Sequence, residues 1–166
     1  RAVAMWRGTC RGAGGERVEL GSRFPVHIEL PGSHRRILVL LDWPNSEPAL
    51  MKQLDAKLRS QVRRPQKEGV TIKFGADQIA PFFEVFAHHM RDLGTPTQPR
   101  VLFETIAAIF PDDAWFGCAW FEGRPVACSC AFRWGTELEM TWASSLNAHK
   151  RIAPNMLLYY RFRERA

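Results

Sequence analysis

Ala114–Ala143 reads AWFGCAWFEGRPVACSCAFRWGTELEMTWA. Short runs of apolar and small residues are broken at Glu122-Gly123-Arg124-Pro125 and again at Gly135-Thr136. Glycine and proline mark chain reversals. The spacing therefore predicts three consecutive strands, Ala114–Phe121, Val126–Trp134 and Leu138–Ala143, joined as hairpins. Their near-continuous apolar character points to burial in a sheet rather than to one wet face.

On either side the period is helical. Val70–Phe74 (VTIKF) reads as a strand, and Asp77 as the cap of a helix with Ile79, Phe82, Phe83, Phe86, Met90 and Leu93 on one face. That helix ends at Gly94. A proline-stiffened loop follows, then a helix from Arg100 to Phe110 with Leu102, Phe103, Ile106 and Phe110 inward. After the three strands, a loop from Ser144 to Ala153 leads to a last helix beginning at Pro154. The order from Val70 is strand, helix, helix, three antiparallel strands, helix.

Upstream the signals are weaker. Arg1–Ser33 is rich in Arg and Gly and predicts irregular structure or the remnant of a preceding lobe. His34–Asp42 (HRRILVLLD) predicts a strand, stopped at Trp43-Pro44-Asn45-Ser46. Ser46, with Glu47 and Pro48 behind it, starts a helix running to Lys67, which Pro65 must kink or end early. Within it, Leu54–Gly69 (LDAKLRSQVRRPQKEG) sets an apolar stripe of Leu54, Leu58 and Val62 beneath Lys57, Arg59, Arg63, Arg64 and Lys67.

The 166 residues suit one ordinary domain, and 46% hydrophobic content is enough for a core. A formal charge of +6 favours anionic partners, and no apolar run is long enough to cross a membrane. Cys10, Cys118, Cys128 and Cys130 show no CxxC spacing and read as small buried hydrophobes in a reducing compartment. The adjacent His88 and His89 point about 100° apart on a helix and make a poor metal chelate. The chain opens on Arg1 and stops at Ala166 inside a helical pattern, so it reads as a fragment.

The element order resembles the first two thirds of the GNAT acyltransferase fold. Lys57–Gly69, Met90–Pro99 (MRDLGTPTQP) and Trp142–Tyr160 (WASSLNAHKRIAPNMLLYY), with the turn at Glu122–Ala127, resemble the FemAB-like branch. Within it they look most like the FemAB-related proteins of the PEP-CTERM/exosortase system of Gram-negative bacteria. The resemblance implies an α/β (α+β) fold of GNAT type, a mixed, mostly antiparallel sheet flanked by helices and incomplete at the C-terminus. It assigns residues 37–166 to a partial acyltransferase domain and leaves 1–36 as the irregular segment. Lacking the strand that completes the fold's V-shaped cleft, such a fragment should be a weak or inactive catalyst.

The implied activity is transfer of an acyl or aminoacyl group to an amine acceptor, in the cytoplasm and in cell-envelope or exopolysaccharide-linked metabolism. No cofactor is tightly held. The donor is aminoacyl-tRNA or acyl-CoA, and donor, acceptor and oligomeric state are left open. By position, Trp142, Ser144 and Ser145 fall where the cleft opens, and the hydroxyls with nearby N–H groups polarise a carbonyl. Asn155 and Tyr159, four apart on one helix face, reach the same cleft, with the phenol as acid; Tyr160 is rotated away. Arg91, in a cluster with Asp92, Thr95 and Gln98, borders the acceptor. Arg63, Arg64 and Lys67 offer charge to the donor. Lys150 and Arg151 meet phosphates, although Ser144–Asn155 has no glycine, which disfavours a CoA pyrophosphate cradle. Competing readings are an acyl-CoA-dependent N-acetyltransferase, a non-catalytic RNA- or phosphate-binding lobe, and a purely structural lobe.

Overall fold

Tight reversals set the sheet. The computed structural model describes residues 4–12, 15–22 and 47–165, and the chain divides into two units, Arg1–Trp43 and Pro44–Ala166. The strand expected at His34–Asp42, its stop and the capping Ser46 lie outside the described residues.

In the first unit β1 (Ala4–Gly12) and β2 (Gly15–Ser22) pair antiparallel, with Gly12 opposite Gly15. Irregular structure and the remnant of a preceding lobe are the two expectations for this segment, and its described residues form a hairpin rather than irregular chain. Arg17–Leu20 alternates polar and apolar residues, a short period-2 signal diluted by the arginines and glycines around it.

In the second unit the expected single helix is two. α1 (Glu47–Gln53) ends before Leu54, and α2 (Ala56–Lys67) starts anew. The break comes at Asp55 rather than Pro65. Asp55 Oδ1 accepts the Leu58 N–H at 2.7 Å, capping α2, while the Arg59 guanidinium donates to the Met51 carbonyl at 3.3 Å and to that of Leu54. One side chain thus caps the new helix and another satisfies the end of the old one. Pro65 sits in the last turn, where a missing N–H forgoes a single helical bond, and its buried ring packs inward.

β3 (Thr71–Phe74), α3 (Ile79–Asp92), α4 (Arg100–Ile109), β4 (Ala114–Phe121), β5 (Arg124–Trp134), β6 (Glu137–Ser145) and α5 (Pro154–Arg165) follow in the expected order. The strands form one sheet, β3-β4-β5-β6, antiparallel throughout. This mixed α/β layout is that of a GNAT-type domain. Glu122 and Gly123 both take positive φ (50° and 76°), giving the tight hairpin between β4 and β5 a twist that suits the strands. Asp77 does not cap α3. It lies in a 3₁₀ turn, Ala76–Gln78, and accepts from the Gln78 side chain at 2.6 Å.

Strand alternation splits the core. One face carries Phe116, Cys118, Cys128 and Cys130 against Phe82, Phe86 and Phe103 of α3 and α4. The other carries Ala119, Ala127 and Ala131 against Leu157, Leu158 and Phe162 of α5. Leu50 of α1 and Val62 of α2 pack with Tyr160 of α5, which is buried away from Tyr159 as expected of adjacent helix positions.

Candidate active site

β6 ends in Trp142-Ala143-Ser144-Ser145, beside β5. Cys128 faces Ser144 and Ala127 faces Ser145. Because successive strand residues alternate, Ser144 turns toward α3 with Cys128, and Ser145 toward α5 with Ala127. The two hydroxyls do not converge. Trp142 shares the face of Ser144 and packs edge-on against Phe103, ring centroids 5.3 Å apart.

Ser144 is only 5% exposed, and its Oγ lies 3.0 Å from Nδ1 of His89, in the last turn of α3. One helical turn on, Asp92 Oδ2 accepts from Asn147 Nδ2 at 3.2 Å and stands 3.4 Å from His88 Nδ1. Arg91, between them, is exposed.

The backbone of Ser145 is oriented differently from its neighbours. The Leu146 N–H donates to the Val126 carbonyl at 2.9 Å, so Ala127 and Ser145 form a pair without ladder hydrogen bonds between them. The Ser145 N–H therefore points away from β5. Among the described residues β6 is an edge strand, and this donor faces out from it.

A 3₁₀ turn, Asn147–Ile152, follows, and Ala153 then takes a left-handed conformation (φ 53°) before Pro154 opens α5. Arg64 of α2 donates to the Arg151 carbonyl at 3.1 Å. That bond brings Arg64, with Arg63 and Lys67 on the same exposed helix surface, beside exposed Lys150 and Arg151. Arg59 is drawn off to the end of α1. On α5, Asn155 hydrogen-bonds the Tyr159 phenol. Burial pushes that phenol above its ordinary value, partly offset by the Asn155 bond, so it holds its proton through neutral pH.

Residues 52–166 match the family described as acetyltransferase (GNAT) domain. The chain belongs to this family. Among solved structures, the GNAT domain is similar to one titled as the crystal structure of FemX, with TM-score 0.64 and 13% identity, over 70% of this chain and 46% of that one. At that identity the likeness shows the fold. A functionally unknown conserved protein from Staphylococcus epidermidis is 15% identical, with TM-score 0.43, over 62% of this chain and 42% of that one. The chain thus spans under half the length of each of these two solved structures. No curated protein matches it.

Of the candidate residues, the GNAT fold gathers Arg63, Arg64, Lys67, Lys150 and Arg151 on one surface and pairs Asn155 with Tyr159. It separates Ser144 from Ser145 and leaves Arg91 in solvent. His89 is the residue that sequence reasoning missed, having weighed the two histidines only as metal ligands. Its signal was present: it falls seven residues after Phe82 and three after Phe86, on the stripe that faces the sheet. The aromatics of the three strands do not make a stacking platform. Phe116 is buried, Trp115, Trp120, Phe121 and Phe132 are half-buried, and Trp134 alone of them is exposed.

Proposed function

We propose that this GNAT domain moves an acyl or aminoacyl group from an anionic donor to an amine acceptor at the free edge of β6. The observation that carries the reading is the Arg64–Arg151 hydrogen bond, which collects the basic side chains of α2 and of the turn before α5 into one surface. A phosphate-bearing donor held there releases counterions on binding. Its carbonyl then meets the outward Ser145 N–H, which stabilises the oxyanion as the neutral amine attacks. Tyr159, half-buried and protonated at neutral pH, gives its proton to the leaving oxygen or sulfur, and the proton lost by the amine returns to the phenol through solvent. Trp142 forms the packed floor beside the edge, Asn155 orients the phenol, and Arg91 meets an anionic acceptor.

Aminoacyl-tRNA is the donor we favour. The loop from Ser144 to Asn155 has no glycine, and its left-handed position is filled by Ala153, so close approach of a pyrophosphate to the backbone is hindered. The three motifs that resemble the FemAB-like branch support the same choice. Acyl-CoA, consumed as a substrate, is the second reading, favoured by the description of the family and by Lys150 and Arg151 in the turn before α5. A tRNA donor implies a cytoplasmic enzyme. An acceptor in envelope or exopolysaccharide metabolism, and association with a PEP-CTERM/exosortase system, rest on the motif resemblance.

The test is donor binding by the full-length protein, read by thermal shift and native mass spectrometry with aminoacyl-tRNA and acyl-CoA side by side. Aminoacyl-tRNA should bind in preference. Arg63→Glu with Lys67→Glu should weaken it by roughly tenfold or more and flatten its salt dependence, with the slope falling by about one for each phosphate no longer neutralised. Preferential binding of acyl-CoA would overturn the donor choice.

A further inference from the structure

We infer that His89 is a positioning residue of the transfer reaction, acting through Ser144 to hold the end of β6 so that the Ser145 N–H stays aimed at the acyl carbonyl. This rests on the reading above that Ser145 supplies the oxyanion donor.

An edge strand is held by its ladder on one side only, and its far end is free to tilt about that ladder. Here two side-chain pairs, each linking residues 55 apart in sequence, tie the end of β6 and its following turn to the last turns of α3. His89 holds Ser144, inside the strand and next to the outward donor. Asp92 holds Asn147, where the chain leaves the sheet. The spacing matches, because residues 89 and 92 are neighbours on the helix surface and 144 and 147 bracket the strand end.

The choice of residue types supports a directional role. Position 89 lies on the stripe that carries Phe82 and Phe86 into the core, and Ser144 faces the same core. Two apolar side chains would fill this space. A hydroxyl and an imidazole add a bond that is good only over a narrow range of distance and angle. At 5% exposure, Ser144 has little access to water as a substitute partner, so the bond is held rather than exchanged. It also disqualifies Ser144 as the group that touches substrate: its hydroxyl is committed to α3, and its neighbour's N–H is what reaches the edge.

The experiment uses full-length protein and two readouts. Steady-state kinetics with the donor that supports transfer should show kcat lowered about 10- to 100-fold in Ser144→Ala and His89→Phe, with the donor KM nearly unchanged, since the donor is gripped elsewhere. His89→Asn, whose amide can occupy the place of Nδ1, should restore most of kcat, and the double variant Ser144→Ala/His89→Phe should be no worse than either single change. Amide hydrogen exchange should quicken in both single variants at Leu146, whose N–H bonds the Val126 carbonyl at the end of β6. A donor KM that rises with kcat unchanged, or His89→Asn as impaired as His89→Phe, or unaltered exchange at Leu146, each overturns the inference. Wild-type protein that turns over no donor overturns the acyl-transfer reading and this role with it; wild-type turnover left intact by the variants overturns this role alone.

Discussion

The two faces of the sheet are built from different materials. On the α3 side, Phe82, Phe86, Phe103, Phe116 and Trp142 interlock mostly edge to face, with Phe103 at the centre and Phe83 tilted against it. On the α5 side the strands present alanines, the helix lies close, and the charged helix α2 packs outside it. Aromatic interlocking resists sliding, because each ring is boxed by others. The alanine face instead lets helix and sheet approach closely, and what lies above it is basic and solvated. One face holds the fold and steadies β6 from behind; the other presents charge to a ligand.

The contrast can be broken by truncation on one face and addition on the other. Phe103 is fully buried, and Phe103→Ala should cost about 3–5 kcal/mol by urea unfolding, since the surrounding rings would have to collapse into its space. A loss under about 1 kcal/mol would mean the aromatic face is loosely packed. Gly117→Ala tests the other face. A Cβ there would stand 2.6 Å from the Phe74 ring and 2.9 Å from that of Phe162, two rings already in edge contact at 4.8 Å. The expected cost is about 1–3 kcal/mol, smaller because helix α5 can shift outward as a unit.

The strands and α3, α4 and α5 were legible because the signals were local and strong. Turn glycines mark the hairpins, and apolar residues repeat at helical spacing, Phe82 with Phe86 in α3 and Phe103 with Ile106 in α4. The break at Asp55 was not, because the eye goes to Pro65. A proline in the last turn is harmless, whereas an aspartate that can cap ends one helix and begins another. The N-terminal hairpin was lost in a background of arginine and glycine. For the site, the basic residues were legible as composition, but their gathering depends on a bond across 87 residues. His89 escaped for the same reason: its partner is 55 residues away, and only the fold brings them together.

The cysteines sharpen the comparison at intermediate strength. Cys118, Cys128 and Cys130 all lie on the aromatic face. Burial pushes Cys118 and Cys130 from the ordinary 9.0 up to about 12, and Cys128 well above its ordinary value. A thiol raised in the folded state is neutral in both states below pH 9. As pH climbs past 9 the unfolded chain ionises first, so stability falls between about 9 and 12. Native protein at pH 8 should leave these three unalkylated by iodoacetamide over hours, with rapid reaction after unfolding, read by mass spectrometry. Fast native labelling at any of the three would show the aromatic face opening to solvent.

The smallest effect concerns the entry to the other face. Ala153 takes φ 53°, a conformation in which its Cβ crowds the backbone and which glycine adopts freely. Ala153→Gly removes that crowding but also frees the unfolded chain, and the two act in opposite directions. The net expected gain is about 0.5–1 kcal/mol, seen as a modest rise in the urea midpoint with an unchanged slope. The same variant bears on the donor. If lack of a glycine is what keeps a pyrophosphate from the backbone at the start of α5, Ala153→Gly should raise acyl-CoA affinity while leaving binding of aminoacyl-tRNA to the α2 surface unchanged. Stability gained with no change in acyl-CoA binding would mean that the fold of the Asn147–Ile152 turn, rather than the single Cβ, excludes the pyrophosphate.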